Sequence, residues 1–419
     1  VDPMTHVVVA GAGLAGIACA HDLGRKGIDV TLVDRNDYHQ FQPLLYQVAT
    51  SQLPAEDIAR PLASIFESIK SVRVVQAEIT DLNFSERSLV AGGERVSGDY
   101  LVVAAGATAN FFGTPGAEEH SFPLYSVADA EKLRHHVSDL LRGEHDPLDV
   151  VIVGGGPTGV ETAGAFAELF TALRKMNHPG GRGEAWLINH GPALLAPYSE
   201  RSHEYAHDKL VQHGAKVRLG VGVASVDADG VQLSDGSRLA SRTVVWAGGE
   251  SASPIASTAS VTPGHGGRID VLADLTVPTF DHVYAVGDVA NIPGSDGKAL
   301  PQLGSVAQQA GAWTARNILL SIAGEPRKPF AYKDKGIMAM IGRGAAVAEV
   351  GAHRHQVEGP LAFAAWLGVH AALLSGAHSK VDAFLSWAWD YFDSDHAAIV
   401  ECHGDPKRIA WAGDAKPTI

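Results

Sequence analysis

Cysteine is scarce in this sequence. Only Cys19 and Cys402 occur in 419 residues, with no Cys-x-x-Cys pair and no metal-ligand spacing. Dithiol redox chemistry is thereby excluded, no metal is expected, and a reducing, cytoplasmic setting is. Basic charge is short as well. With 33 Lys and Arg against 47 Asp and Glu, the formal charge is −14, which argues against nucleic acid and gives no help to binding an anionic bilayer. No apolar run reaches the roughly 18–20 residues of a spanning helix. The longest, Leu361 to Leu374, also contains His370. Strand pattern begins almost at once, at His6, so no signal peptide is expected.

What is present is glycine in a particular pattern. His6 to Ala10 reads as a buried parallel strand, followed by Gly11, Gly13 and Gly16 with Leu14 and Ala15 between the last two, and then by a helical stretch. The spacing has a physical reason. The first glycine permits a tight turn, the second lets backbone approach a pyrophosphate, and the third lets helix pack closely on strand. The diphosphate then meets the positive end of the helix. A second strand, Asp29 to Val33, ends in Asp34 and Arg35, and Asp34 can accept hydrogen bonds from a ribose hydroxyl.

The unit recurs about 140 residues later. Asp149 to Val153 is the strand, Gly154, Gly156 and Gly159 the fingerprint, with Pro157 and Thr158 inside it, and Val160 to Phe170 the helix. Two complete turns imply two bound nucleotides. In the second unit the strand Glu184 to Ile188 ends in Asn189-His190, where an acid would normally hold the adenosine ribose. Loss of that acid removes the repulsion that excludes a 2′-phosphate, and no arginine stands there to bind one. NADH and NADPH both remain open.

Further pieces echo each other. Tyr100 to Thr108 is a strand ending in Ala105-Gly106, and Arg242 to Gly249 repeats it with Ala247-Gly248, as in an internally duplicated architecture. Asp281 to Ala290 is a strand leading through Gly287 to Asp288, which could hydrogen-bond a ribityl or ribose hydroxyl or simply cap a helix. Ser305 to Ile322 has helical periodicity and carries Ala307, Gln308 and Gln309 near its start. Asn36 to Thr50, containing Gln42, Pro43 and Leu44, reads as a surface loop or as a loop lying across a flat cofactor ring, and leads to a helix from Pro61 to Ile69. Tyr332 to Arg343 alternates as a strand would, and two apolar, aromatic helical stretches follow, Leu361 to Leu374 and Val381 to Phe392.

Assembled in this order, the chain resembles the type II NADH:quinone oxidoreductases, single-subunit enzymes of the two-dinucleotide-binding-domain flavoprotein superfamily. The likeness runs from about His6 to Glu401. Beyond the two fingerprints it rests on Phe41-Gln-Pro-Leu-Leu-Tyr-Gln-Val-Ala-Thr50, Gly154 to Glu161, Tyr332-Lys-Asp-Lys-Gly336 with Ile341-Gly-Arg343, and Trp387 to Phe392. The resemblance implies an α/β fold of two Rossmann-like domains, an FAD domain (4–112 and 269–345) interrupted by an NAD(P)H domain (113–268), and a C-terminal helical region (346–419). It implies FAD on the first fingerprint, with Asp34 on its adenosine ribose, Asp288 on the ribityl side and the Phe41–Gln47 segment beside the ring. NAD(P)H would lie on the second, hydride would pass to the flavin, and two electrons would pass on to a quinone.

Glu161 matches the family glutamate at the nicotinamide–flavin junction, although a carboxylate in a first helical turn also complements the helix dipole. Lys335 matches the lysine beside the flavin. Of the two glutamines of the family's quinone-pocket helix, one is retained as Gln309 and the other falls on Ser305, which leaves the quinone's identity open. In the family the C-terminal region pairs subunits into a homodimer and rests on the inner face of the cell membrane. Here Trp366, Phe384, Trp387, Trp389, Tyr391 and Phe392 suit an interfacial face, but Asp382, Asp390, Asp393 and Asp395 would be repelled by anionic lipid. A soluble reductase of another small acceptor, or a flavin-bearing regulatory protein with little turnover, are the alternative readings.

Overall fold

The computed structural model describes residues 5–143, 146–295, 297–351 and 353–373. The second helical stretch, Val381 to Phe392, and Cys402 lie outside these residues.

The first valine run is strand β1 (His6–Ala10), fully buried from Val7 onward. It runs into α1 (Leu14–Gly24), then β2 (Asp29–Asp34). The segment read as a loop across a cofactor is instead helical. A 3-10 turn over Gln42–Leu44 leads into the short helix α2 (Leu45–Ala49), every residue of which is buried. The apolar side chains of this segment pack with those of the second nucleotide-binding unit, where Leu44, Leu45 and Val48 join Phe166 and Leu169 in one core. Only Gln42 of the turn is left exposed. The helix expected over Pro61 to Ile69 shrinks to Leu62–Ile65, because Ala59–Pro61 pairs as a strand with Tyr38–Gln40. Strands β3 (Val72–Gln76) and β4 (Tyr100–Val103) complete this half.

After α3 (Val127–Gly143) the pattern repeats: β5 (Val150–Val153), α4 (Pro157–Lys175), β6 (Ala185–Asn189), α5 (Glu200–His213), β7 (Lys216–Leu219) and β8 (Thr243–Trp246). Among the later elements are β9 (Phe280–Ala285), α6 (Gly304–Ile322), the antiparallel strands β10 (Gly336–Gly342), β11 (Ala345–Val350) and β12 (His355–Glu358), and α7 (Pro360–Leu373).

Two mainly parallel sheets result. In the first the order is Thr276–Val277, β9, β4, β1, β2, β3; in the second it is Phe122–Pro123, β8, β5, β6, β7. In both, the strand preceding the glycine turn is central, flanked on one side by the strand ending in an acid or its substitute and on the other by the strand ending in Ala-Gly. The expected duplication is therefore present over five strands, the antiparallel Thr276–Val277 being an addition to the first sheet. Ligands of such sheets collect outside the carboxyl ends of the strands at the switch point, where the two glycine turns lie.

Glycines draw the outer elements together. A Cβ on Gly311 of α6 would sit 2.0 Å from the carbonyl oxygen of Ala15, so α6 packs directly on the backbone of α1. A Cβ on Gly164 of α4 would sit 1.8 Å from the carbonyl oxygen of Ile341, so α4 lies against the backbone of β10. That second contact brings Glu161 and β10 together.

Candidate functional site

Both glycine turns have the geometry that their spacing predicts. Gly11 adopts φ +104°, and a Cβ there would stand 2.4 Å from the carbonyl oxygen of Ala104. Gly13 faces open space, and a Cβ on Gly16 would strike the carbonyl oxygen of Gly11 at 1.8 Å. The second turn repeats this. Gly154 adopts φ +113° with the carbonyl oxygen of Ala247 at 2.3 Å, Gly156 is open, and Gly159 is 1.8 Å from the carbonyl oxygen of Gly154. In each turn the first and third glycines are required by the fold, while the middle one keeps a cradle clear at a helix N-terminus. No side chain caps α1 or α4, so their first-turn amides face that cradle. Leu14 and Ala15 lie within the first turn of α1, and the exposed Pro157 and Thr158 within that of α4.

Asp34 secures the first turn. One of its carboxylate oxygens accepts the Ala12 N–H at 2.7 Å and the other the Asn36 N–H at 2.8 Å. Arg35 is exposed beside it. In the second unit Asn189 takes the equivalent place, its Oδ1 accepting the Gly155 N–H at 3.0 Å. On the other side of the first cradle, Gly287 (φ +73°) turns the chain out of β9. A Cβ on it would lie 3.3 Å from that of Ala15 and 3.6 Å from that of Ala307. Asp288 thus stands where the N-terminal ends of α1 and α6 converge, and Ala105, Gly106, Ala247 and Gly248 are partly exposed at the ends of their strands.

Asp288 has neighbours that the sequence did not single out. The Tyr125 hydroxyl donates to Glu250 at 3.0 Å, and Glu250 in turn faces Asp288 and the buried Arg268. Burial pushes the Glu250 carboxyl up to about 7, with the charge of Asp288 adding to the effect, and burial pushes Asp288 up to about 6. The Tyr125 carbonyl accepts from Gln40 at 2.8 Å and from Gln42 at 3.4 Å, tying the Phe41–Gln47 segment to the same place.

Glu161 is the fifth residue of α4, so it opens the second turn rather than lying in the first as expected, and it is buried. Its Oε1 accepts the Met340 N–H at 3.1 Å, and the Trp366 side chain of α7 also hydrogen-bonds it. Burial raises the Glu161 carboxyl to about 8, more than its hydrogen bonds lower it. Tyr46 of α2 bounds this chamber. Its hydroxyl donates to the Met340 sulfur at 3.3 Å, receives the Gln47 amide at 3.0 Å, and its ring meets Trp366 edge-on. Trp366 is fully buried, so its assignment to an interfacial face is corrected: this ring seals Glu161 rather than facing solvent. His370 stacks on Trp366 at 3.9 Å, and burial lowers its pKa to about 4.

Gln309 and Lys335 fall together, apart from Glu161's chamber. The Gln309 amide donates to the Lys333 carbonyl at 3.1 Å and accepts the Lys333 N–H at 3.0 Å, while Ser305, one turn earlier, pairs with the Tyr332 hydroxyl at 2.9 Å. Both side chains thus fasten the segment that presents the exposed Lys335. Cys19 is buried in α1, and burial raises its thiol far above the ordinary range, so it is inert. Helix α5 carries His203-Glu-Tyr-Ala-His207, the residue order of zinc hydrolases, yet no group of three or more metal-ligating side chains that could hold an ion occurs among the described residues.

Two glycine-turn cradles on duplicated sheets, with Glu161 buried near the N-terminal end of α4, are the framework of a paired-dinucleotide oxidoreductase. Comparison with known proteins agrees. The family model for pyridine nucleotide-disulphide oxidoreductases matches residues 5–311. The type II NADH:quinone oxidoreductase Ndh of Mycobacterium tuberculosis is 34% identical over 92% of this chain and 88% of its own length. The enzyme of that name from Staphylococcus saprophyticus is 28% identical over 80% and 87%. The structure of NDH2 from Plasmodium falciparum in complex with NADH superposes with a TM-score of 0.84 at 19% identity, covering 93% of this chain and 99% of the other. The chain belongs to the pyridine nucleotide-disulphide oxidoreductase family and, within it, to the type II NADH:quinone oxidoreductases.

Proposed function

We propose that this flavoprotein oxidises NADH and reduces a quinone with FAD on the first glycine turn and the nicotinamide nucleotide on the second. The observation that carries the assignment is the matched pair of cradles, each open at its middle glycine and closed by backbone at the other two. A flavin supplies, when bound, the two-electron chemistry that no side chain here possesses.

The protein's part is placement and electrostatics. The α1 amides and Asp34 would hold the adenosine diphosphate half of FAD, Asp288 its ribityl chain, and Gln42, Pro43 and Leu44 the edge of the ring. The α4 amides, Pro157 and Thr158 would hold the nucleotide diphosphate, with Ala247 and Gly248 beneath its nicotinamide end. Glu161, protonated at neutral pH by its burial, would bound the junction and offer a proton rather than a charge. Gln309 acts as a positioning residue for Lys335, whose ammonium would lie at the acceptor side. The FAD domain would comprise 4–112 and 269–345, the NADH domain 113–268, and the C-terminal region 346–419, which opens on strands β11 and β12 before α7.

Among the described residues no helix is long and apolar enough to cross a membrane. Helix α7 nevertheless exposes Leu361, Val369 and Leu373. These residues support a further reading, in which the appendage of a homodimer rests on the inner membrane surface, where a lipid-soluble quinone would be met. Acid release of the cofactor followed by mass measurement tests the flavin assignment. FAD is expected, and FMN would overturn the use of the first cradle.

A further inference from the structure

The two cradles differ at one point. At the end of β2, Asp34 spends one lone pair of each oxygen on a backbone N–H and keeps the others, with their negative charge, for a ribose. At the end of β6, both amide hydrogens of Asn189 are committed. Its Oδ1 accepts from Gly155, and its amide nitrogen donates to the carbonyls of Gly191 at 3.2 Å and Ala193 at 2.8 Å.

Those two carbonyls explain the asparagine. A carboxylate there would set an oxygen against both of them with no proton to share, so this turn is built for an amide and disfavours an acid. The carboxylate that would repel a 2′-phosphate is therefore absent for a structural reason. Residues 190–199 contain no acid, and neither does Gly220-Val-Gly-Val223, the adjoining loop; Asp235, next to the Ser234 that hydrogen-bonds Gly222, is held by Arg218. Arg218, on the neighbouring strand, is occupied by Asp235 at 2.5 Å and Ser237 at 2.9 Å. The first side chain beyond Asn189 is His190, exposed and lying over Gly222.

We propose that this chain accepts NADPH as well as NADH, with His190 as the side chain that meets the 2′-phosphate. This inference deepens the proposed function and rests on the second cradle being the nicotinamide nucleotide site. The neutral Asn189 turn admits the phosphate, and the imidazole donates to it.

Two measurements on the flavin-loaded full chain test it. Calorimetric titration compares adenosine 2′,5′-bisphosphate with 5′-AMP, which differ only in the 2′-phosphate. The bisphosphate is expected to bind more tightly, by about tenfold, and His190→Ala to remove that advantage. Anaerobic flavin reduction then compares the nucleotides. The ratio of kcat/KM for NADPH to that for NADH is expected within about tenfold of unity, falling at least fivefold in His190→Ala through KM and further in His190→Asp. Flavin reduction by NADH alone, or no preference for the bisphosphate, would overturn the inference and leave the proposed function standing. Reduction by neither nucleotide would overturn both. An unchanged ratio in both variants would remove His190 from the site.

Discussion

Replacing Glu161 with glutamine removes the most strongly perturbed carboxyl of the junction without changing its shape. In the folded chain that carboxyl titrates at about 8, against an ordinary 4.5, chiefly because burial disfavours its charge. A carboxyl raised in this way holds a proton that the unfolded chain has released, so the folded state is penalised progressively as pH rises. The penalty starts near 4.5, grows through neutrality and levels off above 8. Between pH 6 and pH 9 it should increase by about 2–3 kcal/mol, or on the order of 3 °C in Tm for a chain of this length. Glutamine keeps the acceptor for the Met340 N–H and has no such dependence. Melting temperatures of wild type and Glu161→Gln, measured in parallel from pH 5 to 9, should therefore diverge upward in pH, with the variant gaining. Glu250 and Asp288 titrate in the same window, but they are common to both proteins and cancel in the difference. Parallel curves would show that Glu161 reaches water and would remove the basis for its protonated state.

Other outcomes follow from the same geometry. Gly13→Ala should fold normally and purify with little flavin, whereas Gly16→Ala, whose Cβ would meet the Gly11 carbonyl oxygen at 1.8 Å, should fail to accumulate; expression level and flavin absorbance distinguish them. Trp366→Ala should cost about 3–5 kcal/mol and shift the Glu161 titration downward by admitting water, both read from the pH series above. His370, lowered to about 4, contributes stability that is complete above 6.5 and lost as pH falls toward 4, so α7 should loosen in acid; His370→Phe should flatten that loss, and an unchanged tryptophan-fluorescence profile would refute it. Gln309→Leu should free Lys333 and raise the KM for quinone several-fold while flavin reduction by NADH is slowed less than twofold, because the amide fastens the Lys335 segment and not the nucleotide cradles.

The glycine turns were legible in the sequence because their constraints are local. Gly16 answers to the backbone of Gly11 in the same turn, Gly11 to that of Ala104 at the end of the adjacent strand, and Gly13 to open space, and the spacing alone records which must be bare. The missing acid at Asn189 was legible for the same reason, though the two carbonyls that demand an amide were not. Glu161 could be placed near the start of a helix, one turn too early, but its burial depends on Met340 and Trp366, about 180 and 205 residues away. The local trace of that contact was Gly164, a helix-interior glycine whose role appears only once β10 lies against it. Tyr125 and Glu250 meet through chain separation with no motif at either end. The Phe41–Thr50 segment was read as a loop because of its proline and mixed polarity; its helical form follows from packing of Leu44, Leu45 and Val48 against α4, a distant partner with no local trace.

The central claim is that electrons enter at the second cradle and leave to a quinone. The purified protein should be reduced anaerobically with one equivalent of NADH, then mixed rapidly with a short-chain menaquinone or ubiquinone while flavin absorbance is followed. Bleaching by NADH and return of the oxidised spectrum within a typical turnover time, on the order of 10–100 ms, is the predicted result. Prompt bleaching with no reoxidation by either quinone would contradict it, and would leave an NADH-reducible flavoprotein with a different acceptor.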